Sequence, residues 1–489
     1  MKTGEDAQTT VAQEEPFAAP AHDQEDSGPL PTRLRILLAI VVIADVLDLM
    51  DSTITNIAAP TIERSLGGGE LLIKWLGSGY TLAMGVLLVV GGRLGDRYGK
   101  RRMFLIGIAG FVSASLVCGL SVNPATLIGA RLVQGSFGAL MIPQGISILT
   151  ANFSRAQFPK AVSAFGPVMG MSAVLGPIAA GFIIDANILG LSWRPIFLIN
   201  IVLGTIGFVA SLKYLPHDRP TSDAPIDGIG AGTLGATMLG LMYGLIEGST
   251  SGWTFVPIFS MAMGALFFVG FCLRQRHETN PLIVPSLLKN RGFTSGMLLG
   301  LAYFAAVAGL AYVLSLFFQT GLGMKPAKAA LALSPNMAGI ILASVVCRPL
   351  VAKMGRRLVV IGLCVTLAGA AGLWLTFLTA GPDVGVWDMV PSVLVLGLGM
   401  GACFSSIYDV ALGDIASDEA GSASGSLSAV QQLATSIGSA VVTTVYFKQL
   451  VQHGAVHAAV VSVAVVGGIA SLCLGLVWLL PRKAAPSGF

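Results

Sequence analysis

The sequence predicts an all-α polytopic membrane protein on three observations: charge is scarce, apolar runs are long enough to span a bilayer, and positive residues collect on alternate connections. Of the 489 residues, 54% are hydrophobic and 11% charged, against roughly a quarter charged in a soluble globular chain. The apolar runs are about twenty residues long, the length a helix needs to cross roughly 30 Å of hydrocarbon. Only helices and closed barrels satisfy their backbone in lipid, and runs that are unbroken rather than alternating indicate helices.

The elements follow in order. Residues 1–34 hold seven acids and no apolar segment, which predicts a disordered cytosolic tail and no cleavable signal. Spans are expected near 35–59, 71–92, 103–121, 125–149, 161–184 and 193–213, forming an N-terminal six-helix bundle over 35–213. A linker with two extra transmembrane helices occupies 214–292, near 228–247 and 253–273. Six more spans, near 293–319, 328–347, 357–380, 387–409, 425–447 and 456–480, form a C-terminal bundle over 293–480, and 481–489 is a second cytosolic tail.

Fourteen spans with both termini inside assign every connection to a side, and positive residues favour the cytosol. Of 29 Lys and Arg, 22 fall on the cytosolic side, six outside (Arg64, Lys74, Arg194, Lys325, Lys328, Lys448), and Arg131 within a span. A missed span would scramble every later loop. The net charge of +4 therefore has a topological cause and implies no nucleic acid. The six cysteines lie in or beside apolar runs without CxxC spacing, which makes them small packing residues.

An internal repeat accompanies the six-two-six layout. GRLGDRYGKR (Gly92 to Arg101) aligns with RPLVAKMGRR (Arg348 to Arg357), with Leu94 on Leu350, Arg97 on Lys353 and Gly99 on Gly355. The first copy reads Gly92-x-Leu94-x-Asp96-Arg97-x-Gly99-Lys100-Arg101. LMDSTITNIAAP (Leu49 to Pro60) contains Asp51 and Asn56, and ARLVQGSFGA (Ala130 to Ala139) contains Arg131, Gln134, Gly135 and Gly138. The fifth span carries Gly166, Pro167, Gly170, Gly176, Pro177 and Gly181, the composition of a kinked helix that a neighbour approaches closely.

These motifs, in this order, resemble those of the major facilitator superfamily, and within it the fourteen-span drug:proton antiporter family. The resemblance covers about Arg35 to Pro481. It implies the superfamily fold of 14 transmembrane helices, two six-helix bundles plus two inserted helices, in a bacterial plasma membrane. It also implies a cytosolic latch of Gly92, Asp96, Arg97, Gly99, Lys100 and Arg101 that favours an outward-facing state. Asp96 is expected to pair with a basic residue or a helix N-terminus nearby, while Gly92 and Gly99 permit the tight turn and close helix approach. Met50 departs from the first-span pattern, and Ser172 and Ala180 replace usual glycines of the antiporter helix. Trp193, Arg194, Phe197 and Asn200 resemble the next pattern, with Pro195 and Val202 departing from it. Gly421 to Ala440 resembles the thirteenth span of actinobacterial members.

Charges inside hydrocarbon are costly and mark function. Asp45, Asp48 and Asp51 lie well inside the first span, with Asp185, Glu247 and Asp409 at span ends, while the five histidines sit in the tail, loops or a span end. Spaced three apart, the first three share a helix face as a stripe roughly 9 Å long, expected to line the cavity between the bundles. Asp51 holds the family position. Asp45 and Asp48 are additional. Asp51 and Arg131 lie at matching depths, within about 3 Å, and the resemblance implies that spans one and four are near neighbours, so Arg131 is expected beside Asp51, favouring its charged form until burial reverses the balance. A static ion pair that only tolerates burial is the alternative.

The reading that follows is proton-coupled export of amphipathic, including cationic, drug-like molecules by a monomer that needs a lipid bilayer and the proton motive force, with no cofactor or metal. Asp51, Asp48, Asp45, Arg131, Asn56 and Gln134 are the candidate coupling and substrate residues. A dedicated exporter, or a proton symporter, of one metabolite or antibiotic is the alternative. An enzyme is excluded because no reactive His/Asp cluster is visible, and an ATP-driven pump because no GxxxxGK[ST] loop is present.

Overall fold

The structure, a computed structural model, describes residues 31–153, 157–218, 227–278, 281–282, 285–412, 415 and 420–481. Its long helices are α1 (Thr32–Leu66), α2 (Gly69–Tyr98), α3 (Lys100–Leu120), α4 (Pro124–Asn152), α5 (Phe158–Ala186), α6 (Pro195–Tyr214), α7 (Gly228–Ser251) and α8 (Phe255–His277). A single turn, α9 (Pro285–Lys289), precedes α10 (Arg291–Leu316), α11 (Pro326–Met354), α12 (Arg356–Ala380), α13 (Val386–Leu412), α14 (Ala420–His453) and α15 (Ala455–Leu476). The tails 1–30 and 482–489 and the side chain of Asp409 lie outside the described residues.

Local chemistry sets several boundaries. Asn123 and Asn290 cap α4 and α10, accepting from the amides of Thr126 at 2.9 Å and Phe293 at 3.0 Å, which satisfies donors a helix start leaves open. Gly99 and Gly355 end α2 and α11 with φ of 95° and 49°, a left-handed turn that glycine makes without steric cost. These are the two aligned glycines of the repeat.

Eleven helices among the described residues are long and apolar enough to cross a membrane. The long helices α1, α5 and α14 are not among them. The three aspartates fall within one span-length of α1, α14 is rich in Ser, Thr, Gly and Gln, and α5 enters only as Leu175–Ala186.

Helices α1–α6 form one bundle and α10–α15 a second, with α2 packed along α14 and α5 along α11 as the two seams. Helices α7 and α8 pair with each other, and α7 also rests on α2 and α14. Asp227 at the start of α7 accepts from Gly230 N at 2.8 Å, Arg274 Nε at 2.6 Å and Gln275 Nε2 at 2.9 Å. Burial works against its charge, yet these partners hold its carboxyl below the ordinary aspartate value. Helix α8 leaves Phe255, Phe259 and Leu266 exposed, an apolar surface suited to lipid.

The two faces of the molecule differ. Where α1 ends, one apolar core unites both bundles, joining Ile54, Ile57 and Leu76 to Leu310, Phe317, Leu373 and Tyr446. Where α1 begins, the bundles keep separate cores, one around Leu37, Phe104 and Ile148, the other around Leu299, Val359 and Ile407. The united face is also tied by hydrogen bonds from α10 and the turn after it: Tyr312 to the Ile73 carbonyl at 2.5 Å, Ser315 to that of Asn56 at 3.0 Å, and Gln319 to that of Ile57 at 3.0 Å. A π-helical turn, Phe317–Gly321, ends α10 there.

Cys118, Cys403 and Cys473 are buried, whereas Cys272 and Cys364 are exposed. The expectation of uniformly packed cysteines is thus corrected, because an apolar run on a lipid-facing helix does not imply burial against protein.

Candidate functional site

Asp51 lies within a side-chain network inside the first bundle. Its Oδ2 pairs with Arg131, and its Oδ1 accepts from Gln134 Nε2 at 3.0 Å and Asn200 Nδ2 at 2.7 Å. Gln134 Oε1 accepts from Arg131 at 2.8 Å, and Gln134 donates to Ser115 Oγ at 2.7 Å. Helices α4 and α6 thereby meet α1 at one carboxylate, and α3 joins the network through Ser115. Arg131 and Gln134 are three apart on α4 and so share a face. Both charges of the pair are 1% exposed, a burial tolerable only with a partner and filled hydrogen-bond positions. The Arg131 guanidinium also lies over the rings of Tyr80 at 4.4 Å and Phe197 at 5.7 Å, which adds cation–π attraction in a dry setting.

Asp48 accepts a hydrogen bond from the Tyr80 hydroxyl, and Asp45 is buried with no partner for its Oδ2. Asp51 therefore turns into the first bundle rather than into the space between bundles, while Asp48 stays half-buried against Tyr80. This corrects the sequence expectation for Asp51, and the reason is compensation: its donors all come from helices of that bundle. Asn56 stands apart. It is half-buried and contributes its carbonyl to the Ser315 contact.

At the α2–α3 turn Gly99 has the expected conformation, but Gly92 is not where the helices close. A Cβ at Gly92 would meet Pro143 at an ordinary 3.8 Å, while one at Gly91 or Gly95 would strike the Ala139 carbonyl or the Gln144 side chain. Gln144 Nε2 donates to the Gly91 carbonyl at 2.7 Å, so the tight seam with α4 belongs to Gly91 and Gly95. The start of α3 is met by a different carboxylate from Asp96: Asp218 accepts from the amides of Lys100 and Arg101, the latter at 3.2 Å, as a helix N-terminus favours. Arg101 reaches His217 at 3.0 Å and the Leu212 carbonyl at 2.8 Å. Arg97 lies over Tyr98, Lys100 and Asp96 are half-buried, and Arg93 donates to the Pro281 carbonyl.

On α5, Gly176 and Pro177 are buried. A Cβ at Gly176 would come 3.2 Å from Thr53 Oγ1 on α1, and one at Gly181 would come 2.6 Å from the Ala327 Cα on α11. The surroundings of Gly166, Pro167 and Gly170 lie outside the described residues. Asp185 is exposed and accepts from the Ala327 amide at 3.4 Å.

Sequence reasoning missed Tyr80, Ser115 and Lys74. Lys74, expected outside the membrane, is 0% exposed, 3.3 Å from Glu70 and hydrogen-bonded to Ser249 at 3.1 Å and Thr250 at 2.9 Å on α7. Its only sequence signal was four-residue spacing from Glu70. Asn200 was visible as a motif residue without a role.

Two six-helix bundles joined along two seams, with a buried charge network in one and a common core at one face, define a membrane transporter of the two-bundle class. The chain belongs to the Major Facilitator Superfamily, whose family model matches residues 41–439. It is thus a multi-pass membrane transporter and not an enzyme. It is 39% identical to a protein of Streptomyces coelicolor named as a probable actinorhodin transporter, covering 88% of this chain and 76% of that one. It is 31% identical to a tetracenomycin C resistance and export protein of Streptomyces glaucescens, covering 84% and 75%. A methylenomycin A resistance protein of Streptomyces coelicolor is also 31% identical, covering 89% and 88%. Among solved structures, a D-xylose–proton symporter superposes with a TM-score of 0.65 at 17% identity, covering 93% of this chain and 98% of that one, which establishes the fold alone.

Proposed function

We propose that this protein is a proton-coupled antiporter of the bacterial plasma membrane that exports amphipathic drugs or antibiotics, cationic ones among them, from the cytoplasm by alternating access. Export is supported by relatives named for antibiotic transport, export and resistance. Proton coupling is supported by one observation above others: the Asp51–Arg131 pair, sealed and cross-linked through Gln134 and Asn200. A carboxylate held by a buried guanidinium and two side-chain amides changes proton affinity when those contacts open. With fourteen spans and the positive connections in the cytosol, the united core closes the outside, so this is the inward-facing state. The protein works as a monomer on the proton motive force alone.

The test is drug-dependent proton movement in inverted vesicles under an imposed pH gradient. Asp51→Asn is expected to abolish it while leaving the protein in the membrane, and wild-type rates in that variant would end the coupling claim. A dedicated exporter of one antibiotic is the second reading, favoured by the 39% identical relative named for a single compound. A growth-inhibition panel in a pump-deficient host, with and without a protonophore, separates the two by the breadth of protection.

A further inference from the structure

The first bundle holds three carboxylates on α1 and one buried guanidinium, Arg131, and of the three only Asp51 pairs with it. Asp48 lies three residues away on the same helix and faces a neutral donor, the Tyr80 phenol. Asp48 is half-buried within a membrane span, where an anion left with one neutral hydrogen bond is costly, and taking up a proton relieves that cost.

The Asp48–Tyr80 contact is built rather than incidental. The Tyr80 ring is fixed edge-on to Phe111, with centroids 6.5 Å apart, and lies beneath the Arg131 guanidinium. Its hydroxyl occupies space left by Gly138 of α4, where a Cβ would stand 2.9 Å from the Tyr80 oxygen and 3.2 Å from Asp48 Oδ1. Any larger residue at 138 would press directly on this hydrogen bond. Asp45, one turn earlier, has a buried Oδ2 with no partner, so a second uncompensated carboxyl adjoins the same place.

The charged and titratable groups acting on Asp48 are Asp45 and Asp51 on α1, Tyr80 on α2 and Arg131 on α4. Of the other helices packed on α1, α10 brings Tyr312, whose hydroxyl is committed to Ile73. Helices α5, α6 and α11 carry charged side chains only near their ends. Asp51, by contrast, is already held by Arg131, Gln134 and Asn200, and releasing it means breaking all three contacts.

We propose that Asp48, held by the Tyr80 hydroxyl in the space provided by Gly138, is a second proton-binding carboxyl of this transporter, distinct from the Asp51–Arg131 pair. Tyr80 and Gly138 are its positioning residues. The inference rests on the proton-coupled reading and extends it from one exchangeable carboxyl to two.

The test needs no substrate: infrared titration of the purified full-length protein in lipid, following the C=O stretch of protonated carboxyls. The wild type is expected to show a band that vanishes reversibly as pH is raised. Asp48→Asn should remove one carboxyl's share of it, and Asp48→Glu should restore a band at shifted frequency. Tyr80→Phe and Gly138→Ala should each keep the band but move its midpoint by about half a pH unit or more, roughly a threefold change in proton affinity. A band unchanged by Asp48→Asn overturns the inference. If Asp48→Asn does not fold, unmoved midpoints in both Tyr80→Phe and Gly138→Ala overturn it equally. Asp51→Asn is expected to leave the Asp48 band in place, so retained coupling in that variant would defeat the Asp51 reading separately from this one.

Discussion

The two bundles share a plan but differ in what they bury. Each turns from its second to its third helix on a left-handed glycine, Gly99 or Gly355. The first encloses Asp51 and Arg131 in a network drawn from four helices. Among the described residues the second encloses neutral contacts, with Tyr303 donating to the Met400 carbonyl at 2.6 Å and Asn336 to that of Val393 at 3.3 Å. Its other contribution is directed outward, through Tyr312, Ser315 and Gln319, which donate to main-chain carbonyls of the first bundle. One half therefore stores charge, and the other closes over it with donors whose acceptors no mutation can remove.

The sharpest way to break this contrast is Arg131→Ala, which strands Asp51 in a dry interior. Losing one partner of a buried pair costs about 3–5 kcal/mol, so a large drop in thermal unfolding temperature is expected. Pairing it with Asp51→Asn should recover much of the loss. If the single variant unfolds like wild type, the charge network is not structural and the contrast fails.

A smaller effect is expected where the second bundle closes on the first. Tyr312→Phe and Gln319→Leu each remove a hydrogen bond worth about 1 kcal/mol, which shifts a closed-to-open equilibrium roughly fivefold. The readout is labelling of a cysteine placed at Ala59, buried in the united core: faster modification in the variants supports the closure role, and unchanged rates refute it. The smallest effect belongs to Asn336→Leu. Only a long neutral hydrogen bond to a carbonyl and a weak one to the Met400 sulfur are lost, so a change within about 1 kcal/mol in unfolding is expected. A penalty as large as that of Arg131→Ala would show that the second core depends on polar contacts as much as the first.

Much of this was legible in the sequence. Apolar run length, charge placement and the repeated loop identified a membrane protein of two related helical bundles with an inserted pair, since hydrophobicity and turn chemistry act over a few residues. Matched depths along α1 and α4, together with the family resemblance that makes those two helices neighbours, brought Arg131 to Asp51, because helical rise converts residue number into distance. The sequence could not assign the partners that depend on which helix faces which. The orientation of α1 turned Asp51 into the first bundle and set Asp48 against Tyr80, the close packing of α2 on α4 fell to Gly91 and Gly95 instead of Gly92, and Asp218 met the start of α3. Tyr80 and Gly138 became neighbours of Asp48 only through the packing of α1, α2 and α4. Composition and spacing settle what each helix is, because those forces are local. Tertiary structure alone decides which carboxylate is sealed, which is left to a phenol, and which face of the molecule is closed, because those depend on contacts between segments far apart in the chain.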